Sequence, residues 1–335
     1  MKVSEFNFFL PENLIAKRPL KKRDRSRLLV IYRDGSMEHR HFFDLPAYLE
    51  KGDMLLLNNT GVFPARLNGL KQNGEKLEIL FVRKKGDNEW EILSKGKYTG
   101  ILRFSENLTA EIYNGNTAHF NLSGNLMDFI WKYGKMPLPP YIKRPPDESD
   151  RETYQSIFAK KEGSIAAPTA GLHFTESLLK DIESKGVIIN ELTLHIGIGT
   201  FKPIRAENVE DHFMEKEYFE LDKKIIDEIK RIKKSGSRVI SVGTTTTRAL
   251  EALMSGRCNV ISHNGRLKGT TDLFIYPGYS FKAVDSLITN FHLPKSTPLM
   301  LASAMSGWEK LLKTYEEAIA REYRFLSYGD AMLIL

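Results

Sequence analysis

Between Pro64 and Leu122 the chain runs through six short segments in which apolar and polar residues alternate: Pro64–Leu70, Lys76–Arg83, Glu89–Leu93, Ile101–Phe104, Leu108–Tyr113 and Thr117–Leu122. A period of two sends one face of each segment into a core and the other into water, the pattern of half-buried strands. The breaks between them, Asn73-Gly74, Gly86-Asp87, Gly96, Gly100 and Asn114-Gly115, suit tight turns, and Asn-Gly in particular favours a hairpin. No helical pattern intervenes before Asn125–Tyr133, so the block predicts a small antiparallel β-barrel. Met136-Pro137-Leu138-Pro139-Pro140 and Arg144-Pro145-Pro146 then read as a stiff, extended connection.

On either side the pattern changes. Ser164–Ala167 leads to a helix over Glu176–Ser184 capped by Thr175, followed by a strand over Val187–Ile196 and an amphipathic helix over Lys223–Lys234. Arg238–Val242 predicts a strand, Thr245–Met254 a helix, and Trp308–Tyr323 a last helix. Strand and helix alternating in this way imply an α/β arrangement whose parallel strands are joined by helical crossovers. At 335 residues the chain is long for one core, so two domains are expected. The predicted fold class is α/β: a discontinuous α/β domain with a mixed, mostly parallel sheet over residues 1–60 and 150–335, and an inserted small antiparallel β-barrel with its linker over residues 61–149.

Charge and cysteine content narrow the chemistry. Lys+Arg 49 against Asp+Glu 42 gives a net +7, compatible with a polyanionic partner or with a solvated basic surface. A single cysteine, Cys258, leaves no internal disulfide framework and no Cys-rich metal site, which suits a reducing, cytoplasmic setting. No apolar span approaches membrane-crossing length, and Met1–Phe6 does not open a signal peptide.

Four motifs carry candidate chemistry. Val239–Val242, Gly243 and four threonines ahead of Arg248 place a hydroxyl cluster at a helix start, where backbone N–H groups and Thr245, Thr246 and Arg248 favour an anion. The Gly-Lys-Ser/Thr spacing of a P-loop is missing, which weighs against a nucleotide-dependent hydrolase. His195-Ile196-Gly197-Ile198-Gly199-Thr200 holds only part of a dinucleotide signature, so Gly197 and Gly199 read instead as points of close ligand approach. His173 and His292 sit beside turn elements with polar neighbours. No HExxH pattern or regular His/Asp trio links the histidines, and a metal-free site is expected. Lys17–Arg27 concentrates basic residues, among them Arg23, Arg25 and Arg27, that can grip phosphates.

Long blocks carry a resemblance: Asn58–Leu67, Ala166–Phe174, Leu194–Phe201, Thr271–Tyr279, Ile288–Thr297 and Tyr323–Met332, with Arg18-Pro19 and Arg23–Leu28 near the start. Together they resemble the S-adenosylmethionine:tRNA ribosyltransferase-isomerase family of queuosine biosynthesis. The chain departs from the family pattern at Gly61, Glu215 and Pro298. The resemblance implies transfer and isomerisation of the ribosyl part of S-adenosylmethionine onto 7-aminomethyl-7-deazaguanine at the wobble position of a tRNA with a GUN anticodon, giving epoxyqueuosine and releasing adenine and methionine. It implies S-adenosylmethionine as co-substrate without a metal, and a monomer is expected. His195, His173 and Asp272 are the candidates for proton transfer and its support. Thr169, Gly197, Gly199, Thr200, Thr245, Thr246, Arg248, Tyr276, Asn290, His292 and Asp330 are candidates for holding substrate. The alternative from another class is a non-catalytic RNA-binding protein.

Overall fold

The computed structural model describes every residue except Lys202, together with the side chains of Thr200 and Phe201. Strands β1 (Arg27–Ile31), β2 (Met37–His41), β3 (Met54–Asn58) and β4 (Thr60–Val62) lead to β5 (Arg66–Lys71), β6 (Lys76–Lys84), β7 (Glu89–Ser94), β8 (Gly100–Ser105), β9 (Leu108–Tyr113) and β10 (Thr117–Leu122). Helix α1 (Leu126–Tyr133) and the single turn α2 (Asp150–Thr153) follow, then β11 (Lys161–Ser164), α3 (Glu176–Ser184), β12 (Ile188–Leu194) and β13 (Glu217–Asp222). The rest comprises α4 (Lys223–Ser235), β14 (Val239–Val242), α5 (Thr244–Met254), β15 (Asn259–His263), β16 (Arg266–Thr271), β17 (Ser286–Asn290), α6 (Thr297–Ser306), α7 (Trp308–Ala320) and β18 (Ala331–Ile334).

Strands β5 to β10 close into a barrel in the order β10-β7-β6-β5-β8-β9, antiparallel at every seam. The alternation seen in the sequence becomes its interior: Leu77, Ile79 and Phe81 of β6 and Leu108, Ala110 and Ile112 of β9 all point inward. Gly69 lets β5 approach β8, since a Cβ there would stand 2.6 Å from Leu102 Cγ. At the barrel's entry and exit, β4 and β11 pair in parallel with each other.

The large sheet is mixed, in the order β15-β16-β13-β12-β3-β14-β17-β18-β1-β2. Its four central neighbours β12, β3, β14 and β17 are mutually parallel, so their carboxyl ends share one rim. Both faces of these strands are covered, and β3 and β14 are buried at every position. Leu178 and Ile182 of α3 pack on one face, and Ile225, Ile229 and Ile232 of α4 with Leu250 of α5 on the other.

The barrel strands, α1, α3, β12, α4, β14, α5 and α7 lie where the sequence puts them, to within a few residues at their ends, and Thr175 caps α3 by accepting the Leu178 N–H at 3.3 Å. The apolar segment around Leu273 forms no strand, because β16 ends at Thr271 and the Leu273 carbonyl accepts from the Arg248 side chain at 3.0 Å instead of from a neighbouring strand.

Glu251 of α5, fully buried, fixes the approach to β17. Its carboxylate accepts the N–H groups of Lys282, Ala283 and Val284 at 2.8–2.9 Å and the Tyr279 hydroxyl at 3.1 Å. Glu251→Ala strands three backbone donors away from water and is expected to lower unfolding free energy by about 3–5 kcal/mol, measured by urea denaturation.

Candidate active site

Two cavities open along the rim and meet at Ile196, which lines both. The smaller, about 240 Å³, sits over the ends of β14 and β17. Gly243, Thr244 and Thr245 at the start of α5 form one wall, Asn290 and His292 another, with Ser296 and Pro298 at the start of α6 beyond them. Gly243 makes the strand-to-helix turn at φ +91, a conformation that disfavours any side chain. No Asp, Glu, Lys or Arg lines this pocket among the described residues, and its polar groups are hydroxyls, an amide and an imidazole.

A buried chain of hydrogen bonds aims one of those groups. The Thr169 hydroxyl donates to Asn290 Oδ1 at 2.7 Å, Asn290 Nδ2 donates to His173 Nε2 at 3.0 Å, and His173 Nδ1 meets Ser26 Oγ at 2.7 Å. In this orientation of the Asn290 amide, His173 Nε2 accepts and Nδ1 carries the proton. Burial, with Arg324 and Arg23 nearby, pushes the His173 pKa down to about 3. His173 therefore stands behind Asn290 as a neutral support and does not line the pocket. His292 does line it, with Nε2 2.8 Å from the Thr289 hydroxyl and its pKa also pushed down to about 3 by burial.

The larger cavity, about 1160 Å³, lies between the barrel and the end of β12. Phe63, Trp90, Phe213 and Tyr218 give it aromatic walls, and Phe213 is 77 % exposed. His195 lines it, stacked on Tyr218 with ring centroids 5.7 Å apart. His195 Nδ1 lies 2.9 Å from Thr60 Oγ1, which lies 2.7 Å from Ser164 Oγ, which accepts the Ile196 N–H at 2.8 Å. That series accommodates a tautomer in which Nδ1 carries the proton and donates to Thr60, which leaves the Nε2 lone pair for a ligand. Gly163 makes room for the ring: a Cβ there would stand 2.7 Å from Nε2. Burial, and then the Lys161 charge, hold the imidazole below its ordinary pKa, so it is a neutral base at pH 7.

Thr169, Thr245, Asn290 and His292 thus come together in the smaller pocket and His195 with Gly197 in the larger. Gly199 packs on Glu215, a Cβ there standing 3.3 Å from Glu215 Cβ, and the Thr200 side chain lies outside the described residues. Other candidates are placed elsewhere. Asp272 is exposed and lines neither cavity; Tyr276 packs on Phe274 with centroids 5.2 Å apart and lines neither. Thr246, in the first turn of α5, donates back to the Val242 carbonyl at the end of β14 at 2.6 Å and is buried. Arg248 pairs with buried Glu217 at 2.6 Å, and Glu217 accepts the Gly197 N–H at 3.1 Å. Asp330 accepts the Arg27 N–H at 2.9 Å and the Arg324 N–H at 2.8 Å, organising protein rather than substrate. Arg27 lies on the Tyr323 ring beside Asp330, and Arg23 donates to the Gln155 and Glu152 carbonyls, whereas Arg25 is exposed and lies over the Phe43 ring. Sequence alone missed Thr60, Ser164 and Gly163 around His195, although Thr60 lies within the Asn58–Leu67 block that carries the resemblance. Among the described residues no group of three or more His, Cys, Asp or Glu could hold a metal ion.

Comparison with known proteins fits this architecture. A family model described as queuosine biosynthesis protein matches residues 3–334, and the chain belongs to that family. Particular relatives are named S-adenosylmethionine:tRNA ribosyltransferase-isomerase: one from Thermodesulfovibrio yellowstonii is 52% identical over 346 residues and one from Staphylococcus haemolyticus 48% identical over 347, each pair matched over 100% of both chains. The crystal structure of S-adenosylmethionine tRNA ribosyltransferase from Thermotoga maritima, 34% identical, superposes with a TM-score of 0.57 over 99% of this chain and 100% of that one.

Two titrations follow from the histidines. By NMR, His195 should titrate below 6.5, and Lys161→Gln should move it upward by removing a neighbouring cation. His173 binds a proton more readily unfolded than folded, so its contribution is intact above pH 6.5 and is lost as the pH falls; between pH 6.5 and 5 about 2 kcal/mol of stability should disappear. His173→Gln should flatten that part of the stability–pH curve, followed by chemical denaturation at each pH.

Proposed function

We propose that the chain transfers and isomerises the ribosyl moiety of S-adenosylmethionine onto the aminomethyl group of 7-aminomethyl-7-deazaguanine at the wobble position of a GUN-anticodon tRNA, with release of adenine and methionine. The observation that carries this is full-length identity to relatives bearing that enzyme name. The idle RNA-binding alternative finds no support in those names. The reaction needs a base for the acidified C5′ proton beside the sulfonium, a donor that helps adenine leave, and a neutral amine as nucleophile. A neutral imidazole with a free Nε2, at the seam between a neutral pocket and an aromatic cleft, suits the base. The smaller pocket is of a size to take part of S-adenosylmethionine, and the aromatic cleft an unstacked base.

In this scheme His195 Nε2 takes the proton while Thr60 and Ser164 hold its tautomer, and Thr169, Asn290 and His292 orient the nucleoside by hydrogen bonds. The substrate amine forms the new C–N bond, so no protein nucleophile is required. No described helix is long and apolar enough to cross a membrane, and we take the enzyme to act in the cytoplasm as a monomer, its residues 61–149 forming a domain inserted between 1–60 and 150–335.

Incubation with S-adenosylmethionine and tRNA carrying the aminomethyl base should yield one free adenine per modified tRNA; a folded protein that releases none refutes the assignment. His195→Ala should abolish release while leaving the melting temperature within a few degrees. Replacing exposed Lys21, Lys22 and Arg25 with Ala should weaken tRNA binding and reduce its salt slope by up to about one per lost phosphate contact.

A further inference from the structure

The smaller pocket has a back wall that the proposed chemistry does not use. Behind Thr244, Thr245 and Pro298 lies a recess of about 10 Å³, lined also by Arg248 and Thr297, with room for one water-sized atom. The recess and the pocket share Thr244, Thr245 and Pro298. Helices α5 and α6, of 11 and 10 residues, both begin here, so the first-turn N–H groups of α5 and two positive dipole ends converge on one spot; in α6, Pro298 has no N–H and Ser296 Oγ accepts the Leu299 N–H. Independently, Arg248 is 6 % exposed and its Nη2 has no hydrogen-bond partner, while Nη1 and Nε are engaged by Glu217 and the Leu273 carbonyl. A buried guanidinium nitrogen without a partner is costly, and its natural complement is an acceptor that arrives with a ligand.

We propose that this seam is the carboxylate subsite for the amino-acid arm of S-adenosylmethionine, one carboxylate oxygen entering the recess toward Arg248 Nη2 and the other meeting the start of α5. The proposal rests on the reaction proposed above. It gives Arg248 a second task beside its bond to Glu217, and it orients the molecule: with the carboxylate at the helix starts, the nucleoside end extends along the pocket toward Ile196 and the cleft where His195 stands.

The test separates a ligand contact from a structural role by changing the ligand as well as the protein. Calorimetry with S-adenosylmethionine and with its decarboxylated analogue should show wild type preferring the carboxylate-bearing form by about ten- to hundred-fold, as expected for charge-assisted hydrogen bonds. Arg248→Lys and Thr297→Val should each reduce that preference while leaving affinity for the analogue within about twofold. A preference that persists in both folded variants, or a wild type that binds the two ligands equally, overturns the subsite and leaves the recess to a water. Failure of the reaction itself would register differently, as no binding of either form and no release of adenine, with or without the variants.

Discussion

The fold turns on one buried amide. Asn58 ends β3, and its side chain uses both ends: Oδ1 accepts the N–H groups of Leu194 and Thr60 at 3.0 and 3.2 Å, and Nδ2 donates to the Leu194 carbonyl at 3.1 Å and the Thr245 hydroxyl at 3.3 Å. A side chain thus continues the ladder between β3 and β12 where the backbone must leave the sheet for the barrel. The same amide holds the start of α5. Walls of both cavities are therefore referenced to one residue that is only 1 % exposed, where an unmet donor or acceptor would cost about 1–3 kcal/mol. Such a network fixes one arrangement, because any shift of β12 against α5 breaks more than one bond at once.

Charge is handled in the same economical way. Three cations that look available in the sequence, Arg23, Arg27 and Arg248, are turned inward onto carbonyls or carboxylates, and the smaller pocket is left without a formal charge among its described residues. A cationic sulfonium entering that pocket would meet hydroxyls, an amide and a neutral imidazole, and no lysine or arginine would repel it. The histidines conform to this pattern. Burial keeps His173 and His292 uncharged, and the nearest cation to His195 works in the same direction.

Local pattern made some of this legible and distance hid the rest. The barrel was readable because its strands alternate and its turns contain Asn-Gly, and α3 and α4 because apolar faces and capping residues coincide. Strands β1, β17 and β18 are buried on both faces and are short, so periodicity has nothing to show there. Among candidate site residues, His195 and Thr245 stand beside glycine turns at the ends of parallel strands, and each lines a cavity. The partners of the arginines are remote and could not be read locally: Asp330 lies 303 positions from Arg27 and Gln155 132 from Arg23. Asp272 was drawn in by a polar neighbourhood, and only the geometry shows it facing water.

The pairing of β4 with β11 joins the barrel's two connections to the chemistry. Thr60 opens β4 and Ser164 closes β11, and these are the two hydroxyls behind the His195 ring. The point where the chain departs and the point where it returns, about a hundred residues later, are thus joined by the two hydroxyls that stand in series behind the imidazole. An exchanged or shortened barrel would leave the histidine competent only if the two ends came back to the same mutual register, whatever was built between them. Grafting is accordingly constrained at the stem and comparatively free at the crown, and the stem is the place where an inserted module and the His195 ring answer to a single geometry.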